Sequence, residues 1–224
     1  MPGGRDDCHG GCAAATAADC RAADDLRRVR GGGVEMRKIK AFLLTSLDGY
    51  FEGEKAWEID WHNVDEEFNE LAMKQLDAAD YLVFGRATFQ GMAGYWPTDE
   101  AVKNDNEVAS RMNGTPEIVV SRTLEDADVT WANSRLVRDA KDLAALKAES
   151  GKDLLVLGSS VLTTALMEQG LLDELGIMVN PVILGAGNSL SSSAKRRIAL
   201  KLLGTRQFRN GNVLLTYEPR AVSL

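Results

Sequence analysis

The stretch Tyr81-Leu82-Val83-Phe84-Gly85-Arg86-Ala87-Thr88-Phe89 decides the fold of this chain. Its first four residues form a short apolar run, which is typical of a buried strand. Gly85 ends the run, and the residues after it suit the first turn of a helix. A strand that passes directly into a helix is the repeating unit of α/β proteins, so the stretch predicts an α/β fold.

The same alternation extends over the chain from residue 39 onward. Apolar runs predict further strands at 39–47, 117–120, 154–157 and 175–182. The helical spacing of apolar residues, together with capping residues, predicts helices at 65–79, 101–112, 139–150 and 161–170. Strands that alternate with helices favour parallel pairing, with helices on both faces of the sheet.

The C-terminal part departs from this pattern. Residues 199–208 and 213–217 flank the sequence Arg209-Asn210-Gly211-Asn212. Asn-Gly is the strongest short signal for a hairpin turn. The sequence therefore predicts a mixed, mostly parallel sheet that a C-terminal antiparallel hairpin completes.

Composition and charge exclude several classes of protein. The chain has 224 residues, of which 45% are hydrophobic and 26% charged, as in ordinary globular domains. Its net charge of −7 argues against nucleic acid as the main partner, because phosphate backbones attract clustered lysine and arginine. No run of about 18 apolar residues appears, so the sequence predicts no membrane-spanning segment.

The first 35 residues differ from the rest in composition. Glycine, alanine, aspartate and arginine dominate residues 1–35, which cannot bury enough apolar surface to fold. We therefore expect a disordered extension over 1–35 and one folded domain over 36–220. All three cysteines lie in the extension, which favours a reducing cytoplasm for the folded part. The spacing in Cys8-His9-Gly10-Gly11-Cys12 is too irregular to predict a metal site.

Three places where a strand ends carry side chains suited to phosphate groups. They are Gly85, Arg86 and Thr88; Ser121 and Arg122; and Gly158, Ser159, Ser160, Val161 and Leu162. Small residues let backbone N–H groups approach a phosphate, the N-terminus of a helix favours its charge, and arginine adds a bidentate donor. Each place alone is also explained by a tight turn, a solvated side chain or an ordinary helix cap.

Together these places favour a nucleotide site, because ligands of open α/β sheets bind at the carboxyl ends of the strands. The glycine pattern is neither the GxGxxG fingerprint nor a Walker sequence. The folded part contains His62 as its one histidine and has no cysteine, so a hydrolytic triad would depend on His62 alone. Redox chemistry by a bound cofactor requires few catalytic side chains and fits this inventory.

Candidate substrate residues lie between the first strand and the helix predicted at 65–79. Asp48-Gly49 is a turn pair, and turn formation is the simpler explanation of Asp48. Trp57 and Trp61 could line a pocket for a flat ligand, although packing on the core explains them equally well. The acids at 65–67 favour the helix dipole, and one of them could also act as a proton donor or substrate anchor.

Short motifs in a fixed order resemble those of a known family. They are Ser46-Leu47-Asp48-Gly49-Tyr50, Ala79-Asp80, 85–89, Tyr95-Trp96-Pro97, Val120-Ser121-Arg122, 158–160 and 181–187. Through them, residues 36–219 resemble the dihydrofolate reductase-like superfamily, in the branch that includes the reductase domain of the bifunctional riboflavin-biosynthesis deaminase-reductase. Two loops depart from the pattern. Gly-Ser-Ser at 158–160 replaces the usual glycine pair, and 52–60 differs from the pterin-enclosing loop of true dihydrofolate reductases.

The resemblance implies a three-layer fold with a mixed, mostly parallel sheet of about eight strands that binds NADPH. By position, Ser121 and Arg122 would receive the 2′-phosphate that distinguishes NADPH from NADH. The full set implied for cofactor binding is Ala41, Gly49, Gly85, Arg86, Thr88, Ser121, Arg122, Gly158, Ser159, Ser160, Val161 and Leu162. In this set, Ala41 and Gly49 would lie near the nicotinamide.

The resemblance also implies an NADPH-dependent reductase of a small planar heterocycle or carbonyl compound, resembling a pteridine or pyrimidine. Asp48, Glu67 or water would supply the proton, and Ser46 and Trp61 would contact this small-molecule substrate. A nucleotide-binding module of the same fold without turnover is the alternative. The family relation further implies a homodimer.

Overall fold

The computed structural model describes residues 36–220. The predicted extension 1–35, with its cysteines and His9, lies outside the described residues. The described part begins at Met36, which forms an antiparallel bridge with Ser150. Its strands are β1 (Ile39–Thr45), β2 (Tyr50–Glu52), β3 (Ala79–Gly85), β4 (Glu117–Val120), β5 (Ser134–Val137), β6 (Asp153–Leu157), β7 (Glu174–Val179), β8 (Asn188–Ser189), β9 (Ala199–Gln207) and β10 (Val213–Arg220).

Eight of these strands form one sheet in the order β5-β4-β3-β6-β1-β7-β10-β9. The strands from β5 to β7 pair in parallel, as expected for strands joined by helical crossovers. β10 pairs antiparallel with β7, and β9 pairs antiparallel with β10. The predicted mixed sheet with its C-terminal hairpin is confirmed. A further antiparallel pair, β2 with β8, is not predicted by the sequence pattern.

Six α-helices cover the sheet within residues 36–220. They are α1 (Glu66–Asp77), α2 (Arg86–Tyr95), α3 (Asp99–Asn104), α4 (Asn106–Gly114), α5 (Leu143–Lys147) and α6 (Ser160–Glu168). Short 3₁₀ turns lie at Asp126–Asp128 and Ala140–Asp142. In the described part of the chain, no helix combines the length and apolar character that crossing a membrane requires.

The helices pack on both faces of the sheet and give the predicted three layers. One buried cluster joins α5 and α6 to the sheet, and a second joins α1, α2 and α4 to the opposite face. β1 contributes to both clusters, because successive side chains of a strand point to opposite faces. Ala41 and Leu43 belong to the first cluster, and Phe42 belongs to the second.

Two predicted helices are divided or shortened. The helix predicted at 101–112 is divided at Asp105 into α3 and α4. The backbone of Asp105 is not helical (φ −153°, ψ 87°), and its Oδ1 accepts a hydrogen bond from the N–H of Val108 at 3.0 Å. The segment 139–150 forms a 3₁₀ turn followed by α5, because Asp139 and Asp142 cap each other's backbone in that turn. The pattern misses β5, whose four residues include only two apolar side chains.

Two predicted strands are too long. β1 ends at Thr45 instead of residue 47, because Ser46 begins a turn in which its Oγ accepts the N–H of Tyr50 at 3.0 Å. β7 ends at Val179 instead of residue 182. Pro181 lies within the predicted continuation, and a proline has no N–H to give to a ladder.

Glu117 is a buried acid at the start of β4, far along the sheet from the strand ends that carry the predicted site. Its side chain is 0% exposed, and its Oε2 accepts a hydrogen bond from Ser134 Oγ at 3.0 Å. Its Oε1 has no partner among the residues that the structure describes. Burial raises the pKa of Glu117 from 4.5 to about 7, because the charged carboxylate is desolvated.

This pKa predicts how stability depends on pH. Because the folded pKa lies above the unfolded value, Glu117 contributes stability below pH 4.5 that is lost as the pH rises through 7. We expect the wild type to lose about 2 kcal/mol between pH 5.5 and 8.5 relative to Glu117→Gln, which cannot titrate. Urea unfolding of both proteins at the two pH values measures this difference. An unchanged difference would show that Glu117 stays ionised in the fold.

Candidate functional site

One large cavity, with a volume of about 1370 Å³, opens at the carboxyl ends of β3, β4 and β6. Arg86, Arg122 and Ser159, which follow three different strands, all line it. The other residues predicted from these places also line it: Gly85, Thr88, Ser121, Gly158, Ser160, Val161 and Leu162. We call this part of the cavity the junction half.

A serine links two of the strand-to-helix junctions. Ser159 Oγ accepts a hydrogen bond from the backbone N–H of Gly85 at 2.7 Å and donates one to Thr88 Oγ1 at 2.7 Å. The β6–α6 junction is therefore tied to the β3–α2 junction across the cavity wall. This contact gives a physical reason for a serine at position 159.

The backbone before α6 is held in an uncommon conformation. Gly158 and Ser159 have φ values of +64° and +57°, in the left-handed region. Glycine adopts this region freely, whereas serine loses about 1–2 kcal/mol there. A Cβ at Gly158 would also lie 3.2 Å from Cγ2 of Thr88, a tight contact that adds to the preference for glycine.

Ser159 therefore gives a matched pair of substitutions. Ser159→Ala removes both hydrogen bonds and keeps the left-handed strain, so we expect it to destabilise the fold by about 1–3 kcal/mol. Ser159→Gly removes the same bonds and relieves the strain, so its loss should be about 1 kcal/mol smaller. Urea unfolding measures both losses. Equal losses would contradict the strain at 159.

The helix N-termini differ in whether a side chain accepts hydrogen bonds from the N–H groups of the first turn. Side chains cap α1, α3 and α4: Asp65, Thr98 and Asp105 accept hydrogen bonds from N–H groups of the first turn. No side chain caps α2, α5 or α6, and of these three helices α2 and α6 have first residues that line the cavity. Uncapped N–H groups and the positive end of the helix dipole favour an anion. The junction half thus offers two such ends.

Arginine side chains add positive charge beside these helix ends. Arg86 donates to Thr123 Oγ1 at 3.1 Å, which holds it next to the segment that follows β4. In the same segment, Ser121 Oγ accepts the N–H of Leu124 at 3.0 Å and fixes the turn that contains Arg122. Arg138 also lines the cavity and donates to the carbonyl of Leu124. The donor set fits a phosphate-rich nucleotide.

A second part of the cavity is mainly apolar. β1, the 51–64 loop, α1 and the segment from Met92 to Met112 line this part, which we call the inner half. Its walls include Phe42, Phe51 and Trp57. Aromatic walls suit a flat ring and exclude water from it. A third, polar group of lining residues belongs to neither half and consists of Glu168, Gln169, Asn188, Ser192, Lys195 and Arg196.

His62 is the one histidine of the described residues, and it lines the inner half. Its imidazole bonds to the backbone of Phe51, and desolvation lowers its pKa to about 4. His62 is therefore uncharged at neutral pH. The adjacent Asn63 anchors the loop, because its N–H donates to Oδ1 of the buried Asn180 at 2.8 Å.

The predicted catalytic acid Asp48 does not line the cavity, and neither do Ser46 and Gly49. Its carboxylate accepts the N–H groups of Leu184 at 3.2 Å and Gly185 at 2.8 Å. A hydrogen bond from Ser46 and these two N–H groups lower the pKa of Asp48. Asp48 joins two loops as a carboxylate, and the turn that follows it accounts for Gly49, whose φ is +87°.

Glu67 is also placed outside the cavity. Its Oε1 accepts from Arg206 at 2.8 Å and its Oε2 accepts the N–H of Arg209 at 3.1 Å. The hydrogen bond from Arg206, followed by that from Arg209, lowers the pKa of Glu67. The first turn of α1 directs Glu67 toward the C-terminal hairpin, and its role as a proton donor or substrate anchor stays a prediction.

Two further predicted residues, Ala41 and Trp61, do not line the cavity, although residues close to them in sequence do. Ala41 is buried in the core on the α6 face, and Phe42 and Leu44 line the cavity in its place. Trp61 donates its indole N–H to the carbonyl of Glu58 at 3.0 Å, and Trp57 lines the cavity instead. The sequence pattern gave Trp57 and Trp61 equal weight, and Phe42 is the neighbour of Ala41 that points to the opposite face of the sheet.

Sequence reasoning missed a polar pair in the inner half. Asn69 of α1 donates from Nδ2 to Asp105 Oδ2 at 3.2 Å, and both residues line the cavity. Helical spacing could have placed Asn69 on the same face as Ala72, three residues further along α1. No local signal shows that Asp105 lies opposite Asn69, because the two are separated by α2 and α3.

Comparison with known proteins agrees with the motifs. Residues 37–214 match the model of the RibD C-terminal domain. The chain is 30% identical over 187 residues to the uncharacterized protein YyaP of Bacillus subtilis (strain 168), which covers 83% of this chain and 96% of YyaP.

Solved structures share the fold. They include a putative riboflavin biosynthesis protein from Shewanella sp. PV-4 (TM-score 0.60, 22% identity, 82% of this chain and 99% of that chain). Dihydrofolate reductase from Enterococcus faecalis, complexed with NADP(H), has a TM-score of 0.54 and 15% identity over 82% of this chain and 97% of that chain. The diaminohydroxyphosphoribosylaminopyrimidine deaminase/5-amino-6-(5-phosphoribosylamino)uracil reductase of Thermotoga maritima has a TM-score of 0.54 and 12% identity over 83% of this chain and 57% of that chain. With its dihydrofolate reductase-like fold and this family match, the chain belongs to the RibD C-terminal domain family.

Proposed function

We propose that this protein is an NADPH-dependent reductase of a small planar heterocycle or carbonyl compound. One observation carries the proposal: two uncapped helix N-termini and the arginines at 86 and 122 line one cavity at the carboxyl ends of three parallel strands. Anions favour such helix ends, and a dinucleotide carries several phosphates. The Enterococcus faecalis neighbour is complexed with NADP(H), which supports a cofactor of this class.

Different residues of the junction half would bind different parts of the cofactor. The N-termini of α2 and α6, with Gly158 and Ser159, would hold the pyrophosphate. Ser121 and Arg122 would receive the 2′-phosphate, and Arg138 lies close enough to the same segment to add charge. NADPH supplies the hydride of the reaction, so the protein has to position the substrate against the cofactor and exclude water from both.

The inner half would hold the ring that is reduced. Phe42 and Leu44 from β1 form one wall, and Trp57 from the 51–64 loop covers the other side. These apolar side chains exclude water from the reacting carbon. Asp48 and Glu67 lie outside the cavity with lowered pKa values, so we assign the proton to water that enters at the cavity mouth.

The position of the two acids also favours a second candidate. A module that binds the nucleotide without turnover would not require a proton donor in the inner half. Thermal unfolding with NADP⁺ and NADPH tests binding, and NADPH oxidation with pteridines, pyrimidines and quinones tests turnover. A nucleotide at 100 times its dissociation constant should stabilise the fold by about 2.7 kcal/mol. No stabilisation by either nucleotide contradicts both candidates, and stabilisation without turnover selects the module.

A homodimer and a cytoplasmic location stay predictions. β9 is an edge strand of the sheet, and its exposed apolar side chains are Leu200, Leu202 and Leu203. A second copy of the chain would cover this surface. Light scattering measures the mass in solution, and a monomer at 50 μM would contradict the dimer.

A further inference from the structure

We infer that Asn63 is a positioning residue, which fixes one wall of the inner half and thereby sets the affinity for the ring that binds there. Asn63 does not line the cavity, so it would act on the ring only through its neighbours in the chain. This role rests on the proposed function, because the inner half is assigned there to the substrate.

The loop 53–64 makes most of its hydrogen bonds within itself or to the residue before it. The N–H of Gly53 donates to the carbonyl of Glu58 at 3.0 Å. Glu52, which precedes the loop, accepts the N–H of Trp57 at 3.0 Å. Among residues 36–220, Asn63 makes every hydrogen bond that joins this loop to a distant part of the chain.

Asn63 makes four hydrogen bonds to asparagines that lie 117 to 149 residues away in sequence. Its N–H donates to Oδ1 of Asn180 at 2.8 Å, and its Nδ2 donates to the carbonyl of Asn210 at 2.8 Å. Its carbonyl accepts Nδ2 of Asn210 at 3.1 Å and Nδ2 of Asn212 at 2.8 Å. We call these four residues the asparagine anchor.

The partners of Asn63 belong to fixed parts of the fold. Asn180 and Asn212 are both 0% exposed. Asn180 also donates to the carbonyl of Thr45, the last residue of β1, at 3.2 Å. The N–H of Asn212 donates to Oδ1 of Asn210 at 3.0 Å in the turn between β9 and β10. Buried amides are costly to leave unpaired, so these partners hold the end of the loop in one place.

The asparagine anchor lies next to residues that contact the cavity. His62 and Val64, the two neighbours of Asn63, line the inner half. Trp57 lines it as well, and its indole packs against α2 at Gly91. A wall that is already ordered loses less conformational entropy when the ring binds, so release of the loop should weaken that binding. The junction half contains no residue of this loop, so the affinity for the nucleotide should not change.

Two substitutions disrupt the asparagine anchor from opposite sides. Asn63→Asp keeps the size of the side chain, but a carboxylate cannot donate to the carbonyl of Asn210. Asn212→Ala removes the N–H group that the carbonyl of Asn63 accepts. We expect each variant to bind the fluorescent ring 6-hydroxymethylpterin about fivefold more weakly than the wild type when the proteins are saturated with NADP⁺. The NADP⁺ affinity should stay within about twofold of wild type.

The double variant distinguishes one shared anchor from two separate defects. Because either change releases the same loop, we expect it to bind the ring less than about twofold more weakly than the weaker-binding single variant. Losses that multiply to about 25-fold would show independent defects and overturn the anchor. If Asn63→Asp does not fold, Asn63→Ala replaces it, because alanine removes the same donor without adding a charge.

Hydrogen exchange of residues 53–62, followed by mass spectrometry, reports the release of the loop directly. We expect faster exchange in both single variants and no change in Ser134→Ala. This control removes a part-buried hydrogen bond of 3.0 Å to Glu117, and neither residue lines the cavity. Faster exchange with unchanged ring affinity, or an equal loss of ring affinity in Ser134→Ala, overturns the role of Asn63. A wild type that binds NADP⁺ but not the ring also overturns this role, whereas a wild type that does not bind NADP⁺ overturns the proposed function itself.

Discussion

Replacement of Arg122 by alanine is expected to weaken NADPH binding about 10- to 50-fold and NADH binding less than about threefold. The two cofactors differ only in the 2′-phosphate, and a guanidinium binds phosphate through two parallel hydrogen bonds. Arg122 lines the junction half directly after Ser121, whose buried hydroxyl fixes the following turn. Fluorescence titration with each nucleotide gives the two dissociation constants.

Arg135→Ala is the matched control for this experiment. Arg135 has the same charge and lies on the neighbouring β5, but it does not line the cavity. We expect it to leave both affinities within about twofold of wild type. Because Arg122 is exposed, the preference for NADPH should also decline as salt screens the ion pair. Equal losses for NADPH and NADH in Arg122→Ala would place the 2′-phosphate elsewhere.

The junction half could be predicted from sequence because it is built from local transitions. Gly85 and Gly158 each follow an apolar run and precede a helix, and the backbone there depends mainly on adjacent residues. The direction of parallel strands then brings the junctions to one edge without further information. Gly158, with its positive φ, lies at such a transition.

The inner half could not be predicted in the same way, because distant contacts form it. The choice between Trp57 and Trp61 depends on Glu52, whose carboxylate holds the N–H of Trp57 and, 136 residues away in sequence, the side chain of Asn188. Glu67 is drawn to Arg206, which is 139 residues away. No local pattern contains such pairs.

Ala41 illustrates a different limit. β1 is buried on both faces, so the residues from Ala41 to Leu44 are all apolar and lack the alternation that reveals which face a residue occupies. An error of one residue then moves a side chain to the opposite side of the sheet. Phe42 and Ala41 are adjacent in sequence but belong to different buried clusters.

Gly91→Ala is expected to weaken binding of 6-hydroxymethylpterin about tenfold or more and to leave the NADPH affinity unchanged. Gly91 lies on α2, and a Cβ there would overlap the indole of Trp57. The backbone of Trp57 is left-handed (φ +65°) and its N–H donates to Glu52 at 3.0 Å, so the overlap is relieved by a movement of the indole. The methyl group should therefore displace the indole from the wall of the inner half.

Gly94→Ala separates this contact from helix propensity. Gly94 lies on the same helix, and nothing lies within 4 Å of the Cβ that alanine would add. Alanine should stabilise α2 at this position by up to about 1 kcal/mol and leave pterin binding unchanged. At Gly91 the same gain is offset by the lost packing of Trp57, so urea unfolding should show no gain or a net loss. If both variants bind 6-hydroxymethylpterin as the wild type does, Trp57 does not cover the ring, and the inner half is open on that side.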